Sequence, residues 1–143
     1  MAGQKVGDVM MPEVQSVSRS TTAQDAARAM EQADVGSLPV VEGERVVGMV
    51  TDRDIALRVV AQGKSADTPV GDIASSEIVS VRPEQELDEA LRVMARYQVR
   101  RVPVVEQDGR LIGIFAQADA AIEAEPAQVA DVVEEISEPR QTH

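Results

Sequence analysis

Apolar positions along this chain follow two rhythms, and the same succession of rhythms occurs twice. Ala23, Ala26, Ala27 and Met30 fall at i, i+3, i+4 and i+7, the spacing of one buried helix face, and Leu87, Ala90, Leu91 and Met94 repeat it. Each helical stretch is followed by two short, largely β-branched runs, 38–42 and 46–50 in the first case and 102–106 and 111–115 in the second. These read as strand pairs joined by tight polar turns at Glu42-Gly43-Glu44 and Glu106-Gln107-Asp108-Gly109. A short lead-in helix (6–10; 70–74) and a brief strand (15–18; 78–81) stand before each amphipathic helix, and a further helix follows each strand pair (52–62; 117–124). Thr22 with Asp25 reads as a cap on the first amphipathic helix. The stretch 63–69 is a loop by composition, and after Pro126 the residues Val129, Val132, Val133 and Ile136 form an extra helical stripe that ends near Pro139.

The recurrence extends to residue identity. Val6-Gly7-Asp8-Val9 returns as Val70-Gly71-Asp72-Ile73, Ser16-Val17 as Ser80-Val81, and Pro39-Val40-Val41-Glu42 as Pro103-Val104-Val105-Glu106, always 64 positions on. After Glu42 the offset is 65, matching Arg45 with Arg110, Gly48 with Gly113 and Asp54 with Asp119; the additional residue falls in the hairpin turn, where length varies most easily. The chain therefore divides into a first repeat with its lead-in helix (1–64), a second repeat (65–124) and a C-terminal helix with an acidic tail (125–143). The expected class is α/β (α+β), two β-α-β-β-α repeats. A repeat of roughly 60 residues is marginal alone. The two should pack sheet-to-sheet about a pseudo-twofold axis, with the groove between them as the natural concave site.

Composition narrows the chemistry. Hydrophobic residues make up 43% of the 143 positions, yet Tyr97 and Phe115 are the only aromatics, so a flat ligand would be gripped by aliphatic groups. The net charge of −11 argues against a nucleic-acid partner, which needs a basic face. The acidity grows along the chain: residues 1–64 carry 7 basic and 9 acidic groups, 65–120 carry 6 and 10, and 121–143 carry 1 and 6. There is no cysteine and one histidine, His143, which excludes disulfides and leaves no metal-ligand cluster in view. No apolar run reaches the ~18 residues of a membrane span, and no signal-peptide core is present, so a cytoplasmic chain without a membrane partner is expected.

Candidate chemistry concentrates at Gly48-Met49-Val50-Thr51-Asp52-Arg53-Asp54, where a strand runs into a helix. Thr51 and Asp54 stand one helical turn apart and face the same way, and a helix start offers unpaired N–H groups to an anion. The same pair also reads as a capping box, with Asp54 as a shorter substitute for Glu.

Taken together, the duplicated β-α-β-β-α units, the Pro-Val-Val strands and the hydroxyl and acid after Gly48 resemble tandem cystathionine β-synthase (CBS) domains. The likeness runs from about Val6 to Ile122. Through Leu-Pro-Val-Val (38–41), Thr-Asp-Arg-Asp-Ile (51–55) and Gln-Val-Arg-Arg-Val-Pro-Val (98–104), it extends to the small stand-alone CBS-pair proteins of bacteria, the mycobacterial hypoxic response type among them. The resemblance implies a site for an adenosine nucleotide, AMP or ATP foremost, with no required cofactor. Asp54 would accept from the ribose hydroxyls, while Thr51 and the helix start would hold phosphate. Arg100 and Arg101, just before the middle strand of the second repeat, would face that phosphate from across the groove; the bland alternative is a solvated pair balancing an acidic chain. The adenine would lie near Ser16, Val17, Leu38 and Pro39, residues that are core in any case. The second repeat keeps the acid, Asp119, but has Ala116 in place of the hydroxyl and Gly36 and Ser37 in place of the arginines. One well-equipped site and one reduced site are expected.

The resemblance thus implies a non-catalytic sensor that signals through a disc-like homodimer or an unidentified effector protein. A stress-related interaction protein without a functional nucleotide site is the alternative. An enzyme is disfavoured, since the chain shows no cysteine nucleophile, no internal histidine, no Gly-rich phosphate loop and no carboxylates at metal spacing.

Overall fold

The computed structural model describes residues 4–12 and 14–118. In chain order its elements are α1 (Val6–Val9), β1 (Val17–Ser18), α2 (Ala23–Ala33), β2 (Ser37–Glu42), β3 (Arg45–Thr51), α3 (Asp52–Ile55), α4 (Leu87–Tyr97), β4 (Arg101–Val105) and β5 (Leu111–Ala116). They fall into two compact units, Gln15–Ile78, and Met1–Val14 together with Val79–His143.

The unit Gln15–Ile78 is built on a three-stranded sheet of order β1-β2-β3, with β1 parallel and β3 antiparallel to β2. Leu38 pairs with Val50 and Val40 with Gly48, and a bulge between Val40 and Val41 shifts the register before the turn at Gly43 (φ 66°). Helix α2 bridges β1 and β2. Thr22 starts it by accepting a hydrogen bond from the Asp25 amide at 3.1 Å, as its sequence suggests. Asp34 ends it in the left-handed conformation (φ 56°), its N–H bonded to the Met30 and Glu31 carbonyls. The inward face of α2, Ala23, Ala26 and Met30, packs on Val17, Leu38, Val40 and Val50 of the sheet. Burial of these aliphatic side chains, about 1.5–3 kcal/mol for each large one, drives the unit together.

Where one helix over 52–62 is expected, α3 makes a single α-turn and then widens into a π-helical stretch, Ala56–Val60, closed by the Ala61 N–H on the Ala56 carbonyl at 2.9 Å. The wider turn leaves Val59 in the core and Leu57 and Val60 exposed. Likewise the expected helix at 70–74 is a single 3₁₀ turn, Val70–Asp72, which sinks Val70 and places Ile73 in the same core.

The second unit repeats the plan with fewer ladder bonds. β4 and β5 form an antiparallel pair, and the strand expected at 78–81 contracts to one parallel bridge, Val81 to Val104, the counterpart of Val17 to Val40. Leu87, Ala90, Leu91 and Met94 of α4 close over Val102, Val104 and Phe115, with Val6 of α1 in the same cluster. The helix expected at 117–124 is described only at 117 and 118, where the Gln117 amide donates to the Arg100 carbonyl at 2.9 Å. Its remainder, the 127–136 stripe and the tail lie outside the described residues.

The lead-in segments are exchanged between repeats, contact for contact. The Val6 and Gly7 amides bond the Gln85 and Pro83 carbonyls at 2.9 Å, and the Val70 and Gly71 amides bond the Thr21 and Arg19 carbonyls at 2.8 and 2.9 Å. Lys5 bridges Glu86 as Thr22 bridges Pro69. Beyond each lead-in the chain pairs with the outer strand of its unit: Ser75 exchanges two hydrogen bonds with Met49, and Met11 two with Ile114. This explains Gly48 and Gly113. A Cβ on Gly48 would stand 2.7 Å from the Ser75 oxygen, and one on Gly113 would stand 2.9 Å from the Met11 oxygen. The glycines make room for the crossing segment.

Candidate functional site

The junction of β3 and α3 is ordered by its own side chains. Thr51, extended at φ −118°, is the N-cap of α3; its Oγ1 accepts from the Asp54 amide at 2.9 Å, and Asp54 Oδ2 accepts from the Thr51 amide at 2.9 Å. Both halves of the capping box are made. The other Asp54 oxygen lies 3.8 Å from Arg58 Nε, one turn further along. Arg58 in turn reaches the Ile73 carbonyl at 3.4 Å. Asp54 is largely shielded, its side chain 18% exposed, whereas Arg58 is open to solvent.

This bonding limits what the helix start can give to an anion. The Asp52 amide is taken by the Gly36 carbonyl at 2.9 Å and the Asp54 amide by Thr51, so two of the donors expected to be unpaired are engaged. The Thr51 hydroxyl, used as an acceptor, still has its proton to donate, and an ionised Asp54 has lone pairs beyond those already used. Cap and ligand-binding roles are therefore chemically compatible at the same two residues.

Within the same unit Ser37 pairs directly with Thr51, and Gly36 adjoins Asp52. Ser16, expected in the core, is instead exposed, because it stands just ahead of β1, while Val17, Leu38 and Pro39 are buried as expected, the first two as members of the core. Arg100 and Arg101 belong to the second unit, where Arg101 pairs with Ala116 and neither forms a salt bridge among the described residues. Asp119 lies outside the described residues.

Beside the junction, between the end of α2 and the start of α3, is a cleft of about 470 Å³ with Met30, Val35 and Ile55 among its apolar lining and Glu31, Asp34 and Asp52 exposed around it. The left-handed Asp34 and the Asp52–Gly36 link bring these acids together. Among the described residues there is no cluster of His, Cys, Asp or Glu fit to hold a metal ion, and no helix long and apolar enough to cross a membrane.

A CBS domain family model matches residues 6–61 and again 70–123. The CBS domain-containing protein YhcV of Bacillus subtilis is 47% identical over 117 residues, covering 82% of this chain and 83% of that one. Hypoxic response protein 1 of Mycobacterium tuberculosis is 39% identical over 116 residues, covering 80% of each. Among solved structures, Hypoxic Response Protein I with two coordinated zinc ions superposes with a TM-score of 0.77 at 36% identity, over 85% of this chain and all of that one. CBSX2 in complex with AMP, from a protein of Arabidopsis thaliana, gives 0.73 at 31% identity, over 84% and 95%.

Proposed function

This chain belongs to the CBS-domain family, and on that premise we propose that it is a non-catalytic regulatory module that binds an adenosine nucleotide and signals through self-association or an effector protein. The observation that carries this reading is the Thr51–Asp54 pair, a hydroxyl with a free proton and a shielded carboxylate at one strand-to-helix junction. The AMP complex of CBSX2, similar over most of this chain, supports the ligand class. In this reading Asp54 accepts from the ribose hydroxyls, and Thr51 with Arg100 and Arg101 holds phosphate, for which guanidinium forks are well suited. The adenine lies against the backbone near Ser16, Val17, Leu38 and Pro39. Asp119 marks a second, weaker site that lacks the hydroxyl. AMP is the favoured ligand, ATP the next.

A second reading is favoured by the completeness of the cap: Thr51 and Asp54 already do a structural job with no ligand, as an interaction protein with no nucleotide site would require. Titration calorimetry of the full chain with AMP, ATP, NAD and S-adenosylmethionine separates the two. Heat with AMP or ATP is expected, abolished by Asp54→Ala and largely kept by Asp119→Ala. Asp54→Asn, which retains a cap acceptor, should keep the fold and lose affinity. No heat from any of the four ligands defeats the nucleotide reading.

A further inference from the structure

Arg58 divides one guanidinium between two acceptors. Its Nε lies 3.8 Å from Asp54 Oδ1, and its Nη1 donates to the Ile73 carbonyl at 3.4 Å, fifteen residues along the chain. Among the described residues Arg58 is the one hydrogen-bond donor to that carbonyl. It sits in the middle of the widened turn Ala56–Val60, and its neighbour Val59 is buried in the core that also holds Ile73. A π turn re-aims the side chains around it, and such turns concentrate at functional sites.

The Ile73 carbonyl and the Ala74 amide are the two ends of one rigid peptide plane. That amide donates to the Val70 carbonyl at 2.8 Å, and the next residue, Ser75, exchanges two hydrogen bonds with Met49 of β3. A change at the Ile73 carbonyl is therefore felt along residues 73–75, the last stretch tied to the sheet before the chain leaves this unit at Ile78.

The two oxygens of Asp54 are unequally engaged. Oδ2 accepts from the Thr51 amide at 2.9 Å, whereas Oδ1 has Arg58 at 3.8 Å, an ion-pair distance too long for a hydrogen bond. Oδ1 is thus the oxygen with lone pairs open to ribose hydroxyls, and hydroxyls that settle there compete with Arg58. The second repeat has Asp119 and Glu123 at the matching positions, two acids and no guanidinium.

We propose that Arg58 is a positioning residue that reports occupancy of Asp54: ribose hydroxyls on Oδ1 release the guanidinium from the carboxylate, and it tightens on the Ile73 carbonyl and stiffens residues 73–75. The inference rests on the nucleotide reading above and adds how an occupied site differs from an empty one within this unit. Because Arg58 and the ribose oppose each other at Asp54, linkage requires that removing Arg58 favour the ligand. The ion pair is open to solvent on the Arg58 side, so that gain is small.

Hydrogen exchange of the full chain, read by NMR at the Ala74 amide against the Ala26 amide of α2 as a monitor of global opening, tests it. Without ligand, Arg58→Ala should speed exchange at Ala74 by about fivefold, the loss of one hydrogen bond. Asp54→Asn, which keeps the cap acceptor and drops the charge, should slow it by about twofold. AMP should slow Ala74 relative to Ala26 in the wild type and not in Arg58→Ala, although that variant binds AMP as tightly as the wild type or up to about threefold more tightly. Arg58→Lys, whose ammonium cannot hold two acceptors as a fork does, should lose the AMP response as well. Circular dichroism checks that each variant folds. An AMP response kept by Arg58→Ala overturns the relay, and so does weaker AMP binding by that variant, since Arg58 would then serve the ligand itself. If AMP gives no heat with the wild type, the nucleotide reading falls and the ligand-free arms decide the relay alone: unchanged Ala74 exchange in both Arg58→Ala and Asp54→Asn overturns it.

Discussion

The two strand-to-helix junctions, Thr51-Asp52-Arg53-Asp54 and Ala116-Gln117-Ala118-Asp119, follow strands of nearly identical build. In each unit a glycine on the outer strand lets a lead-in segment cross, and a buried proline and valine sit opposite on the middle strand. Beyond the last strand residue the likeness ends: the first repeat has a hydroxyl and a complete cap, the second a methyl group. At the end of α2 the first repeat has Glu31 and Asp34, where α4 ends in Ala95 and Gln98. Buried positions are apolar in both repeats, though their size differs, as Val50 against Phe115 shows, while polar and charged character differs at the tips. The duplicated scaffold keeps the apolar pattern of its interior and differentiates in the chemistry of its ends.

That contrast can be tested first in the interior, where the effects are largest. Val50 and Phe115 occupy matching positions and both are fully buried. Phe115→Ala should cost about 3–5 kcal/mol, since the second unit has one aromatic filling its centre, while Val50→Ala removes two methyl groups and should cost about half as much. Urea denaturation of both variants reads the difference; equal losses would mean that the two cores are not independently filled.

The crossing glycines come next. Gly48→Ala puts a methyl against the carbonyl of Ser75, a residue fixed by two backbone hydrogen bonds to Met49, one through that carbonyl and one through its amide. Gly113→Ala meets the Met10 sulfur, which can swing aside, and the Met11 carbonyl, which has less freedom. Both changes should destabilise, by roughly 1–3 kcal/mol, with Gly48→Ala the larger. Hydrogen exchange at the Met49 and Ile114 amides would show whether the loss is local to the crossing.

The smallest effect belongs to the tips. Thr51→Ala removes the side-chain acceptor for the Asp54 amide and should lower stability by about 1 kcal/mol, reducing the first junction to what Ala116 provides in the second. A thermal melt by circular dichroism measures it. A loss above about 2 kcal/mol would make the hydroxyl more than a cap.

How much of this was legible in the sequence follows from the range of the interactions. The amphipathic helices around Met30 and Met94, the two hairpins and the Thr22 and Thr51 caps depend on residues three or four apart, or on a tight turn, and all are present in the structure. The duplication was legible because identities repeat at a constant offset. What did not show was non-local: the crossing of Ser75 over Gly48 and of Met11 over Gly113, and the gathering of Glu31, Asp34 and Asp52 around one cleft. The widened turn at Ala56–Val60 also went unread, since its apolar spacing fits an ordinary helix as well. At the candidate site the pairing of Thr51 with Asp54 follows from their spacing along the chain, while the commitment of the Asp52 amide to Gly36 is a contact between distant segments that no local pattern announces.

The exchanged lead-in segments set an order of events during synthesis. The unit Gln15–Ile78 is contiguous, so it can close as soon as Ser75 has left the ribosome. Helix α1 is made before that unit, yet its hydrogen-bond partners Pro83 and Gln85, and Ile114 beside Met11, emerge after it. The lead-in segment must wait for those partners, and its docking is a long-range contact of the kind that slows folding. A nascent chain stalled after Ile78 should therefore hold one finished unit and an undocked α1.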